Sequence, residues 1–248
     1  MRTLKFLALG LLVVFLLPAA ASAAIWYFGD HATSWRTADW SSSALLPPAG
    51  TVPEARVYIL SARTGGLKGA LSEHSWIVVK EKGGGDYERW DKVGWGMPVR
   101  HNGYPADGRW YSNEPRVVFA AQGERAELLI PKVRAAIETY PFAMRGGYHI
   151  FPGPNSNSFV AHAMRQVPEI DVALPPVSVG RDYPTGGRLA FLDPDGRDLH
   201  LSLFGYAGLS AGWKSGVEIN LLGLVAGLDF RRLGIKVPAF GTFALLEG

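Results

Sequence analysis

The hydrophobic pattern divides the chain into three parts. Phe6 to Phe28 runs for 23 residues without a charge, behind Arg2 and Lys5. That is long enough to span a bilayer. It also has the parts of a secretory signal: a positive start, an apolar run, a break at Pro18 and the small-x-small tripeptide Ala21-Ser22-Ala23. Residues 1–23 are therefore a signal peptide cleaved after Ala23, or a retained anchor whose Trp26, Tyr27 and Phe28 form an interfacial aromatic belt. Either way the rest of the chain lies in the periplasm or on the extracytoplasmic face of the inner membrane. Residues 24–53 are rich in Trp and Ser and end in Pro47-Pro48-Ala49-Gly50, an aromatic lead-in followed by a linker.

The middle of the chain alternates strand and helix patterns. Arg56 to Ser61 reads as a strand, and His74 to Val79 as a second, richer in β-branched residues. Gly83-Gly84-Gly85 is a turn, and Tyr87 to Trp95 returns as the partner strand. Residues 97–115 carry repeated Pro and Gly and read as a long surface loop interrupted by Arg109-Trp110-Tyr111. Arg116 to Ala120 is a further strand. Glu124 to Tyr140 has a helical stripe of Ala126, Leu129, Ile130, Val133 and Ile137, which Pro131 is expected to kink or divide. Asn157 to Gln166 is a short helix stopped by Pro168. Beyond Pro175-Pro176, Arg188–Leu192, Leu199–Phe204, Val217–Leu228 and Leu233–Val237 read as strands. Recurrent Ala-Gly pairs there suggest hairpins packed by close backbone approach. The pattern predicts an α+β fold: an antiparallel sheet packed on a few helices over residues 54–183, and a β-rich C-terminal region over 184–248.

Charge and composition exclude several functions. Without Arg2 and Lys5 the formal charge falls from +3 to +1, and the longest basic run is Arg231-Arg232. Nucleic acid is not an expected partner. The chain has no cysteine, which removes disulfides, thiolate metal sites and a thiol nucleophile. His101, His149 and His162 lack metal-ligand spacing, and Gly83-Gly84-Gly85 has no following Lys-Ser/Thr and helix to cradle phosphate. No cofactor and no metal are expected. Asp193-Pro194-Asp195-Gly196 is a turn, since no acidic residue completes a calcium loop.

The candidate chemistry lies at Asn155-Ser156-Asn157-Ser158. It follows Gly153-Pro154 and opens the helix that contains Phe159 and Val160. Asn155 and Asn157 are good N-caps. On a helical wheel Ser156 falls inside the apolar arc and points at the protein body, while Ser158 falls off it toward solvent. Ser156 is thus the hydroxyl placed to act as a nucleophile, with helix-start N–H groups to hold an oxyanion. His74 is the candidate base, with His162 second and His149 also flanking the motif. A hairpin turn centred between Gly83 and Gly84 sets residue 74 opposite residue 93, so Asp91 shares its face and can orient the ring. A half-residue shift of the turn would favour Glu88, and Asp86 is a further alternative. Trp76 and Tyr148 are expected pocket walls, and Asn155 and Asn157 further substrate contacts.

The run from Asn155 to Val160 resembles the Asn-Cys-x-x-Phe-Val box of circularly permuted papain-like hydrolases of the lecithin–retinol acyltransferase type. There a strand histidine in a His-Trp-like context precedes a cysteine at a helix start. His74-Ser75-Trp76 resembles the first element, and Ser156 falls where the cysteine belongs. Ala55 to Tyr183 also resembles an uncharacterised bacterial cell-envelope domain family with Gly-Pro-Asn-Ser-Asn at this site. The papain-like resemblance implies acyl hydrolysis or transfer at an amide or ester bond; the candidate substrates are a lipid or a peptidoglycan peptide, and the N-terminal apolar segment and its tryptophans point to a membrane surface as a partner. Serine lacks the thiolate of the papain-like site, so a non-catalytic domain binding lipid or peptide in the same cleft is the alternative.

Overall fold

The computed structural model describes residues 2–246. Met1 of the expected signal peptide or anchor and residues 247 and 248 of the C-terminal region lie outside them. Arg2 to Phe28 is one helix with a mean hydropathy of 2.4, long and apolar enough to cross a membrane. It comprises α1 (Arg2–Leu11), a π-helical turn at Leu12–Leu16, and α2 (Leu17–Phe28). The helix is attached to the body. The Ser22 hydroxyl donates to the Ala70 carbonyl (2.5 Å) and the Trp26 indole N–H to the Gly66 carbonyl (3.0 Å). Gly69 abuts the Trp26 ring so closely that a Cβ would come within 2.2 Å of it.

The first sheet has the order β4-β3-β2-β1-β5, with every pair antiparallel. Its strands are β1 (Arg56–Arg63), β2 (Glu73–Lys80), β3 (Glu88–Lys92), β4 (Val99–His101) and β5 (Arg116–Gln122). β2 is buried along its whole length, as a β-branched run covered on both faces must be. One face carries Val57, Ile59, Ile77 and Val79 against α3 (Glu124–Glu138) and α4 (Ser156–Gln166). α3 is a single helix that passes through Pro131. The other face carries Tyr58, Leu60, Trp76 and Val78. Residues 97–115, expected as a surface loop, fold back over this face, and Trp110 is only 3% exposed. Trp40, Tyr104 and Tyr111 pack around it. An aromatic cluster of this kind buries area without any helical or strand period to announce it.

The C-terminal region is a seven-stranded antiparallel meander in sequence order from β6 to β12. The strands are β6 (Ala190–Leu192), β7 (Asp198–Leu203), β8 (Ala207–Gly212), β9 (Gly216–Leu221), β10 (Leu224–Asp229), β11 (Gly234–Val237) and β12 (Gly241–Ala244). The expected strand Val217–Leu228 is two strands, folded at Leu222-Gly223, where both residues have positive φ. The polarity of the sheet is inverted. Along β7, Asp198, His200 and Ser202 are buried, and Leu199, Leu201 and Leu203 are exposed. The inward face is held by ion pairs. Glu218 pairs with Arg181 and Lys236, and Lys214 pairs with Asp193 (3.2 Å) and Asp195 (2.8 Å).

Candidate active site

His74 stands near the start of β2, and its Nε2 is 2.8 Å from Asp91 Oδ1. The β2–β3 register pairs Ile77 with Trp90, which is the alignment that a turn between Gly83 and Gly84 produces. Glu88 lies elsewhere, paired with His101 and Arg134. Asp91 is fully buried and is gripped by Arg89, whose Nε and a terminal nitrogen donate to its two oxygens at 2.7 and 2.8 Å. A further Arg89 nitrogen donates to the Pro105 carbonyl at 2.7 Å, and the guanidinium lies 4.1 Å from the Trp76 ring centroid. The His74 ring is stacked on Trp110, 3.6 Å away and 4° from parallel. Ring position is therefore fixed by one hydrogen bond at its edge and one aromatic face.

These contacts set the charges. Burial opposes ionisation of Asp91, but the Arg89 charge and the hydrogen bonds from His74 and Arg89 hold its carboxyl below the usual range. Burial lowers the His74 pKa below its ordinary value of 6.5 and outweighs the opposing pull of Asp91, while Arg89 lowers it further. A carboxylate facing Nε2 makes that nitrogen the protonated one and leaves Nδ1 as the basic nitrogen. Nδ1 takes no hydrogen bond among the described residues.

The helix start reaches His74 through Asn157. Its Nδ2 donates to the Glu73 carbonyl (2.8 Å), and its Oδ1 accepts from the Ser75 N–H (3.1 Å). One amide thus grips both neighbours of His74, along a strand edge where the β3 pairing has ended at Ile77. Nδ2 also donates to the Val179 carbonyl at 2.8 Å. Asn155 is the N-cap, and its Oδ1 accepts from the N–H groups of Asn157 (2.9 Å) and Ser158 (3.2 Å). Its Nδ2 donates to the carbonyls of Ile150 and Val179, both at 3.0 Å. Both asparagines border the cleft, but their amides are committed to protein partners rather than left for substrate. Ser158, expected toward solvent, is fully buried. It completes a capping box with Asn155, and satisfying the helix end outranks wheel position there.

Ser156 is the first residue of α4. Its hydroxyl and its N–H find no protein partner among the described residues. Ser156 and His74 line the same cleft of ≈ 700 Å³, with Tyr148, Trp95, Tyr111 and Leu224 among its walls. No hydrogen bond joins the hydroxyl to the imidazole in this state, which is common before substrate binds. Tyr148 borders the cleft, and burial pushes its pKa up to about 12, so the phenol stays protonated. Trp76, expected as a wall, is fully buried beneath Arg89 and does not reach the cleft. His149 is exposed, and His162 turns its Nδ1 to Thr185 at 3.1 Å. Neither borders the cleft.

Three site residues escaped the sequence reading. Arg89 lies two residues before Asp91 on the same strand face, and that spacing was a usable signal. Trp110 had none. Lys92 is fully buried and donates to the Tyr140 hydroxyl (2.9 Å), the Phe142 carbonyl (3.0 Å) and the Gly147 carbonyl. Burial pulls its pKa down to about 7.

A buried carboxylate–imidazole pair thus shares a cleft with a serine hydroxyl at a helix start, on an α+β sheet behind an apolar N-terminal helix. Residues 54–183 match the family described as a protein of unknown function (DUF3750), and the chain belongs to that family. No curated protein and no solved structure matches the chain.

Proposed function

We propose that this chain is a cell-envelope acyl hydrolase or acyltransferase that cleaves an amide or ester bond. Its N-terminal helix holds it at the extracytoplasmic face of the inner membrane. The observation that carries this reading is the unpartnered Ser156 hydroxyl in one cleft with an imidazole whose Nε2 is bound to Asp91. The order of histidine before nucleophile and the helix-start position support the papain-like comparison.

In this mechanism Nδ1 of His74 takes the Ser156 proton as Oγ attacks the substrate carbonyl. Asp91 stabilises the imidazolium that forms and keeps the ring oriented. The Ser156 N–H, left free because Asn155 occupies those of Asn157 and Ser158, donates to the oxyanion. Collapse breaks the bond to the leaving amine or alcohol, which receives the proton from His74. Water or an acceptor alcohol, deprotonated by the same nitrogen, then attacks the Ser156 ester, and His74 returns the proton to Ser156 Oγ as an acid or a transferred ester is released.

One observation favours a non-catalytic domain that binds lipid or peptide in the same cleft: Asn155 has removed two of the helix-start donors. A fluorophosphonate probe separates the readings. On the catalytic reading the wild-type chain is labelled at Ser156, Ser156→Ala is not labelled, and His74→Gln is labelled at least about 100-fold more slowly. Absence of labelling in the folded wild type, or labelling that persists in Ser156→Ala, overturns it.

A further inference from the structure

The inverted polarity of the second sheet leaves a broad apolar surface exposed among the described residues. Strand pairing aligns Leu192, Leu199, Ala211, Val217, Leu228, Ile235 and Phe243 in a single row across all seven strands. A parallel row runs through Leu201, Leu209 and Ile219. No charged residue interrupts either row. The intervening row, His200-Ser210-Glu218-Gly227-Lys236, faces the protein. Seven strands of about five residues cover a face of about 550 Å², at the upper end for a monomer's largest apolar patch. Phe204, Tyr206, Trp213 and Phe230 stand exposed in the turns at its margins, and the amphipathic rings of Tyr206 and Trp213 suit a membrane interface.

The N-terminal helix indicates what covers this face. The Leu12–Leu16 turn, midway along that apolar helix, packs against β10. Phe15, in that turn, is 6% exposed, whereas Leu12, Val13, Val14 and Leu16 beside it are exposed. The sheet therefore meets the helix at the middle of its apolar span rather than at its polar end. A second copy of the chain would cover the leucine rows, but it would give no reason for the sheet to sit at that level.

We propose that the outward face of the seven-stranded sheet docks on the lipid bilayer that the N-terminal helix enters, and that the cleft takes its substrate from that bilayer. Leu222 and Leu224, at the β9–β10 turn, border the cleft. The β9–β10 pairing places Leu224 in register with Leu221 at the edge of the apolar face. Exposed Ile150 and Phe151 continue that apolar margin around the cleft. Leu222, Leu224, Ile150 and Phe151 thus give an acyl chain an apolar approach to the cleft that holds Ser156. The substrate class is then an amphiphile carrying a long acyl chain. That second half rests on the acyl-transfer reading of Ser156, whereas the docking of the sheet does not.

The absence of native cysteine allows single labels to test the docking. The full chain carrying Leu201→Cys, Ile219→Cys or, as a control on α3, Leu128→Cys is labelled with an environment-sensitive fluorophore. Each is reconstituted in phosphatidylethanolamine–phosphatidylglycerol vesicles, with circular dichroism confirming the fold. Labels at 201 and 219 are expected to shift to the blue and to be quenched by doxyl-phospholipid at least about threefold more than the label at 128. Equal quenching at all three positions overturns the docking. So does a blue shift with self-quenching at high protein-to-lipid ratio but no doxyl quenching, which would put a second copy on the face. For the substrate, a long-alkyl fluorophosphonate carried in the vesicles is expected to label Ser156 about tenfold faster than a short water-soluble one, with Leu222→Asp removing the advantage. Equal rates overturn the lateral supply. Labelling by neither probe refutes the acyl chemistry and leaves the docking to stand or fall on the quenching.

Discussion

Replacing Arg89 by Met tests how the site is held together. Arg89 is 1% exposed and Asp91 fully buried. The substitution removes two charge-assisted hydrogen bonds to Asp91, one to the Pro105 carbonyl and the stack on Trp76. It leaves a carboxylate in the interior with only a neutral imidazole beside it. Breaking a buried pair from one side costs about 3–5 kcal/mol. In a chain of this size each kcal/mol lowers Tm by about 2–4 °C, so R89M should melt roughly 10 °C below wild type. The loss comes from the stranded charge, so removing that charge should restore much of it. R89M/D91N, whose amide oxygen still accepts from His74, is expected to recover more than half of the deficit. Calorimetry of the full chain in detergent micelles measures both variants and D91N alone, closing a double-mutant cycle. The same variant should raise the pKa of His74, because a positive neighbour is gone and the field of Asp91 acts unopposed. Ring-proton NMR reads that shift. A fall of less than about 3 °C in R89M, or no recovery on adding D91N, would refute the claim that Arg89 neutralises a buried anion.

Three further outcomes follow from other contacts. Asn157→Ala should cost about 1–3 kcal/mol, since it strands the Ser75 N–H in a buried strand edge and leaves the Glu73 carbonyl only the Ser72 hydroxyl (3.2 Å); a calorimetric loss under about 0.5 kcal/mol would mean that another group satisfies the Ser75 N–H. The folded-state pKa of His74 lies below its unfolded value of 6.5, so the unfolded chain binds the proton more readily. The stability contribution is complete above pH 6.5 and is lost as pH falls through the folded value. Tm should decline with acidification in that window, and His74→Gln should flatten the decline; a Tm rising on acidification from pH 7 would contradict it. Gly69→Ala places a methyl group against Trp26 and should cost about 1–3 kcal/mol by overpacking, with faster proteolysis at the α2 junction. The Thr64 carbonyl also lies 2.3 Å from the added methyl, so Gly69→Ala in a Trp26→Ala background should cost less but not vanish, and equal costs in both backgrounds would deny the Trp26 contact.

The parts of this fold legible in the sequence are those set by local chemistry. Three glycines fixed a turn centre, and the turn fixed which residue of β3 shares the face of His74. Asn155 announced a helix start because few residues cap so well. The cover over the second face of the first sheet was hidden, because Trp40, Tyr104 and Trp110 cluster through loops with no period. The second sheet shows the converse problem. Its strict alternation is plain in Asp-Leu-His-Leu-Ser-Leu, but alternation states that two faces differ and not which one is covered. The direction was fixed by Arg181 and Lys214, which offered buried ion pairs to the polar face from outside the strands. Ser158 was misjudged for a related reason: a wheel ranks positions by neighbours within the helix, and its contacts are with the cap.

The position of the inverted sheet in the chain bears on biosynthesis. A leucine-covered face with unpaired strands at both edges is an aggregation hazard once it emerges from a ribosome. Yet β6 begins about 160 residues after the N-terminal helix ends. On the envelope function proposed above, that helix engages the translocation machinery and tethers the nascent polypeptide before any of the meander has been translated. Expression that severs the tether should strand the later strands in water, yielding inclusion bodies in place of a smaller soluble protein.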